Sequence, residues 1–101
     1  MNDINNIKIG GINYNIEFCS NPDQNDYNID GQIKYNAQTI KIRSDGGKDY
    51  KKVVLLHEIL HGIFEQKYIE HDEELIEKLS YGLYEVFVNN DLKVLDKFIE
   101  I

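Results

Sequence analysis

Apolar residues recur at every second position in the first half of the chain and at every third or fourth in the second half. Ile7 and Ile9 alternate with polar residues, Gly10-Gly11 interrupts them, and Ile12, Tyr14, Ile16 and Phe18 resume the alternation as far as Cys19. A period of two marks a strand with one buried face, and a pair of glycines between two such runs marks a tight hairpin. Residues 20–30 contain Pro22, Asp23, Asn25, Asp26 and Asn28 and read as an exposed loop. A second hairpin follows, with Ile33 and Tyr35 before an Asn36-Ala37 turn and Ile40 and Ile42 after it. Asn-Ala is a weaker turn pair than Asn-Gly, because the second turn position also favours positive φ.

Ser44-Asp45-Gly46-Gly47 ends the alternation, and the new spacing predicts a helix over residues 49–68. Its apolar positions are Val53, Leu56, Leu60, Ile63 and Phe64, with Leu55 and Ile59 widening the arc. An arc this wide means cover on more than one side, which makes this the central helix. Gly62 weakens it and is expected to mark the close approach of another element. A second helix is predicted over 72–88, with a stripe of Ile76, Leu79, Leu83 and Val86. Asp72, Glu73 and Glu74 suit its N-terminal turn, where negative charge is favourable. A third, over 91–99, places Leu92, Leu95, Phe98 and Ile99 on one face. Strands followed by helices argue an α+β fold. The expectation is one domain over residues 1–101: a small antiparallel sheet of four strands, made of two hairpins within 7–43, and then three helices.

Composition narrows the class of molecule. The 101 residues, 42% hydrophobic and 29% charged, suit one modest globular core. No apolar run approaches the ~18–20 residues of a membrane span. Met1-Asn2-Asp3-Ile4-Asn5-Asn6 lacks the basic and apolar regions of a signal peptide, and the single Cys19 cannot form an internal disulfide. These features favour a reducing, cytoplasmic setting without membrane partners. A formal charge of −7 with scattered lysines argues against nucleic-acid binding, which needs clustered basic residues. The basic residues between 41 and 52 read as solvated strand ends and a first helical turn.

The chemistry lies in His57-Glu58-Ile59-Leu60-His61, an H-E-x-x-H motif inside the central helix. Residues four apart share a helix face, so both imidazoles can reach one metal ion. Glu58, about 100° round from His57, suits a general base acting on metal-activated water. The competing reading is two satisfied histidines at the border of the core beside an exposed glutamate. A catalytic metal needs a third protein ligand and an open position. His71, in the turn after the helix, is one candidate; the acidic group Glu73, Glu74 and Glu77 is the other. Glu73 and Glu77 share a face with Ser80 and Tyr84, whereas Glu74 points elsewhere. Two histidines and a carboxylate suit zinc, and also iron or manganese.

Thr39-Ile40-Lys41-Ile42, leading into Val54-Leu55-Leu56 and the histidine motif, resembles the strand-then-helix core of the ImmA/IrrE family of zinc metallopeptidases. Glu77-Lys78-Leu79-Ser80-Tyr81-Gly82-Leu83-Tyr84 is similar to that family's second-helix motif, E-x-x-A-N-x-F-A, with Tyr81 where asparagine is usual. The resemblance spans roughly residues 30–88 and is strongest to short members encoded by phages and prophages. It implies a minimal zincin-like core, Zn2+ held by His57, His61 and Glu77, and Ser80 at a small position where two helices approach closely. It also implies a protein or peptide substrate. Tyr68, His71, Tyr81 and Tyr84 are candidate donors to the oxyanion of a tetrahedral intermediate. The 38–43 or 31–35 strand is a candidate dock for an extended substrate. The expected function is a small intracellular zinc peptidase acting on a specific protein target. The alternative is a catalytically inactive zinc-binding or metal-free phage protein that binds and modulates a host or phage protein. Glu58 favours the enzyme, since a purely structural zinc has no use for it.

Overall fold

The alternating residues form β1 (Asn6–Ile9), β2 (Ile12–Cys19), β3 (Gly31–Lys34) and β4 (Thr39–Arg43) in the computed structural model, which describes residues 5–91. β1 and β2 make the expected hairpin, with Ile9 opposite Ile12 and Gly10 at φ +62° in the turn. β3 and β4 make the second, with Lys34 opposite Thr39. Its loop is four residues, 35–38, and the positive φ falls on Gln38 (51°), so neither Asn36 nor Ala37 has to adopt it.

The sheet is mixed, not antiparallel as expected. Its order is β1-β2-β4-β3, and β2 pairs with β4 in parallel, Ile16 opposite Ile40 and Phe18 opposite Ile42. Each hairpin is a local decision, but how two hairpins join is not. The loop over residues 20–30 sets β3 two strand positions from β2, and β4 then returns between them. An interior place suits β4, whose Ile40 and Ile42 are fully buried. Arg43 at its end ties the loop down. It ion-pairs with Asp30 at 3.0 Å and donates to the Ser20, Tyr27 and Ile29 carbonyls. Asp23 and Asp26 accept from the backbone N–H groups of Asn25 and Asn28, as expected of an Asx-rich loop.

α1 (Lys48–Gln66) lies across the sheet, and α2 (Glu73–Asn89) packs on α1 and not on the sheet, giving three layers. The fold is α+β with two helices among the described residues; of the helix expected over 91–99, all but Asp91, which is not helical, falls outside them. Both flanks of α1 are covered, as its wide apolar arc predicts. Val54, Leu55 and Ile59 join Ile9, Tyr14, Ile40 and Ile42 over the sheet, while Leu60 and Phe64 meet Ile76 and Leu83 of α2. Gly62 is a point of close approach to the sheet: a Cβ there would stand 2.7 Å from Ile9 Cδ1 and 3.2 Å from Ile33 Cδ1. The inward line of α2 runs through buried Ile76 and Ser80 and half-buried Leu83, while Leu79 and Val86 of the expected stripe are exposed. Ser80 is fully buried because its hydroxyl satisfies itself on the Glu77 carbonyl at 2.7 Å. No described helix is long and apolar enough to cross a membrane.

Candidate metal centre

His57 and His61 lie one turn apart on the flank of α1 that faces α2. The chain leaves α1 through Tyr68 at φ 59°, and the Asp72 side chain caps α2 by accepting from the Leu75 N–H at 3.2 Å. Glu73 therefore opens α2 directly opposite the two imidazoles. Its carboxylate sits between them, Oε2 3.0 Å from His57 Nε2 and Oε1 2.5 Å from His61 Nε2. These three residues can each offer one ligand atom, all within 4.8 Å of one another. A tetrahedral ion with bonds near 2.1 Å holds its ligands about 3.4 Å apart, so the donor set fits one divalent ion. Burial pushes the His61 imidazole below its ordinary pKa, against a smaller opposing pull from Glu73. The neutral ring that results has the lone pair a metal needs.

Glu77, the ligand implied by the resemblance, lines the same cavity one turn further along α2 but does not join this group. Glu73, one of the alternatives, is the carboxylate that groups with the two histidines. His71, the other alternative, approaches His61 from the far side, Nδ1 to Nδ1 at 2.9 Å, away from Glu73.

Glu58 belongs to the opposite wall. It is only 7% exposed, on the flank of α1 that faces the sheet. β3 can come this close because Gly31 has no side chain: a Cβ there would meet Val54 Cγ1 at 2.5 Å and Glu58 Oε2 at 3.2 Å. Burial, reinforced by the neighbouring Glu73 charge, raises the Glu58 carboxyl to about 7, while the Ile33 backbone N–H pulls the other way. Glu58 thus lies on the border between acid and base near neutral pH.

A cavity of about 540 Å³ opens between these walls. Five carboxylates line it, those of Asp23, Asp30, Glu58, Glu73 and Glu77, and among the described residues no lysine or arginine does. This field suits a cation and repels phosphate. Of the four oxyanion-donor candidates only Tyr81 reaches the cavity. Tyr68 is 97% exposed, Tyr84 donates to Asp49 at 2.8 Å, and His71 is turned to His61. Tyr35 and Tyr50 were not among the candidates, yet both line the cavity. Burial raises the Tyr35 phenol to about 12, and a hydrogen bond to Asp30 does the same for Tyr50, so both remain protonated donors. The alternation of Tyr35 with Ile33 already placed it on the helix-facing side of its hairpin.

No family model, curated protein or solved structure matches the chain.

Proposed function

We propose that this protein is a small zinc-dependent metallopeptidase of the ImmA/IrrE type, phage or prophage encoded, that hydrolyses a peptide bond in a specific protein target. What carries this reading is the placement of Glu58: a buried glutamate with its carboxyl near neutral pKa, beside two histidines and a third metal donor. A bound zinc ion would supply Lewis acidity, polarising a carbonyl oxygen and acidifying water. His57, His61 and Glu73 would hold it. Glu58 accepts the proton of the attacking water at its carboxylate and returns it to the leaving amine, a task suited to a group that titrates near the working pH. Tyr81 lines the same space as a candidate hydroxyl donor to the developing oxyanion, and Tyr35 could join it by releasing the His61 carbonyl, to which its hydroxyl donates at 3.4 Å.

Of the two strands considered as a substrate dock, β4 is paired on both sides, which leaves β3. The Arg43 N–H donates to the Asp30 carbonyl, so in this antiparallel pair the alternate residues Gly31 and Ile33 turn their backbone groups outwards. An extended peptide added to that edge would pass Glu58. The acidic lining favours a target segment that carries basic side chains.

Metal analysis combined with two variants tests the proposal. The purified protein should contain one zinc ion, and His57→Ala should lose it. Glu58→Gln should keep the zinc and lose cleavage of the target. Full biological effect in Glu58→Gln would instead make the protein a binder, and iron or manganese in the site would replace the proposed metal.

A further inference from the structure

Two titratable side chains, Glu65 and His71, lie outside the ligand set and reach it only through His61. Glu65, His71 and His61 form a line behind the candidate metal centre. His61 Nδ1 is 2.9 Å from His71 Nδ1, and His71 Nε2 is 3.1 Å from Glu65 Oε1. The two rings stack, with centroids 5.0 Å apart and planes at 21°, and Phe64 packs on His71 from another side at 6.1 Å. The chain is shaped to make this contact. Glu65 is one helical turn after His61 on α1, and the turn that ends the helix brings His71 back over that turn. This return is held by hydrogen bonds from Lys67 N to the Ile63 carbonyl and from Ile69 N to the Phe64 carbonyl.

We propose that Glu65 and His71 are positioning residues that fix His61 as a metal ligand through Nε2, by a hydrogen-bonded chain running from His61 Nδ1 through His71 to the Glu65 carboxylate. The inference rests on the metal-binding reading of the site. With a metal on His61 Nε2, one arrangement of protons on the neutral rings satisfies the contacts behind it. His61 Nε2 faces Glu73 and must present a lone pair to a metal, so the single proton of its neutral ring is on Nδ1. Two N–H groups cannot face one another, so His71 Nδ1 accepts. The His71 proton is then on Nε2, where it donates to Glu65, which as a carboxylate only accepts. Each group has one role, and the chain ends on a charge that favours the whole polarity. Such outer partners orient the ligand ring and raise its basicity, and losing one typically weakens metal binding by about 10–100-fold. In this arrangement His71 serves the centre without being the third ligand.

Long-range proton–nitrogen NMR spectra of the zinc-loaded, nitrogen-15-labelled protein read the tautomers directly. They should show His61 protonated on Nδ1 and metallated on Nε2, and His71 protonated on Nε2. His71→Leu, which keeps bulk but removes the acceptor, should raise the zinc dissociation constant by about 10–100-fold. His71→Gln, whose carbonyl can accept from His61, should recover part of that loss. Zinc bound through His61 Nδ1, or an unchanged dissociation constant in His71→Leu, overturns the relay while leaving the metal site standing. A wild-type protein that takes up no zinc overturns both. If His71→Leu fails to fold, the wild-type spectrum alone decides.

Discussion

Glu58 and Glu73 line opposite walls of one cavity, and their surroundings differ. Glu58 sits in the seam between α1 and the sheet, 7% exposed, where burial makes its charge costly. Glu73 stands at the open start of α2, with its side chain 71% exposed and both carboxylate oxygens already on imidazole nitrogens. A ligand must be charged and within reach; a general base must hold and release a proton near working pH. Under the proposed function, two residues of one type would meet these demands because one wall is a packed seam and the other a capped helix start. Removing the packing on either side should therefore have different consequences.

The largest effect is expected on the α2 wall. Ile76 is fully buried against Leu60 and Phe64 and holds α2 to α1. Ile76→Ala should cost about 2–5 kcal/mol in chemical denaturation. It should also weaken zinc binding, because Glu73 travels with α2. An Ile76→Ala protein that is destabilised but binds zinc normally would show that Glu73 is not the donor.

The sheet wall should reveal itself through pH. In the metal-free protein the folded-state Glu58 carboxyl stands at about 7, above its ordinary 4.5, so the folded state holds a proton that the unfolded chain releases. Its stabilising effect is complete below about pH 4.5 and is lost as pH rises to about 7, a loss of roughly 3 kcal/mol. Glu58→Gln should abolish that slope in urea unfolding measured across this range. An unchanged slope would mean that Glu58 is not the buried acid. A smaller effect follows from the seam itself. Gly31→Ala forces a Cβ against Val54 and Glu58 and should cost about 1–3 kcal/mol. Stability equal to wild type would show that β3 does not approach α1 this closely.

The smallest effect concerns the turn joining the walls. Tyr68 adopts φ 59° while almost wholly exposed, so Tyr68→Gly relieves backbone strain and loses no packing. It should raise the thermal midpoint slightly, by a stability gain of up to about 1 kcal/mol. A fall would mean that the tyrosine side chain holds the turn in place.

The local parts of this molecule were legible in its residues, and the parts set by distant contacts were not. Alternation through Ile7, Ile9, Ile12 and Tyr14 identified the first hairpin, and the wide arc around Leu60 identified a helix covered on two sides. Nothing between residues 20 and 30 states that β4 will slip between β2 and β3, because that choice depends on which strand gains most from the sheet interior. At the site, the spacing of His57 and His61 sufficed to bring two imidazoles together. The choice between Glu73 and Glu77 did not follow from spacing, since both share one face of α2. Which of the two carboxylates lies beside the imidazoles depends on where the Asp72 cap starts the helix relative to His57, a matter of how the intervening turn closes. The burial of Glu58 depended on Gly31, 27 positions earlier, whose missing side chain has meaning only once β3 is known to lie against α1.

The central claim is that His57, His61 and Glu73 together hold one divalent ion. Calorimetric titration of Zn2+ into metal-free wild type, Glu73→Ala and Glu77→Ala tests it most directly. Wild type should bind one equivalent, and Glu77→Ala should match it. Glu73→Ala should lose more affinity than the ~10–100-fold that an outer partner is worth. A wild type that binds no zinc, or a Glu73→Ala protein that binds as tightly as wild type, would contradict the account.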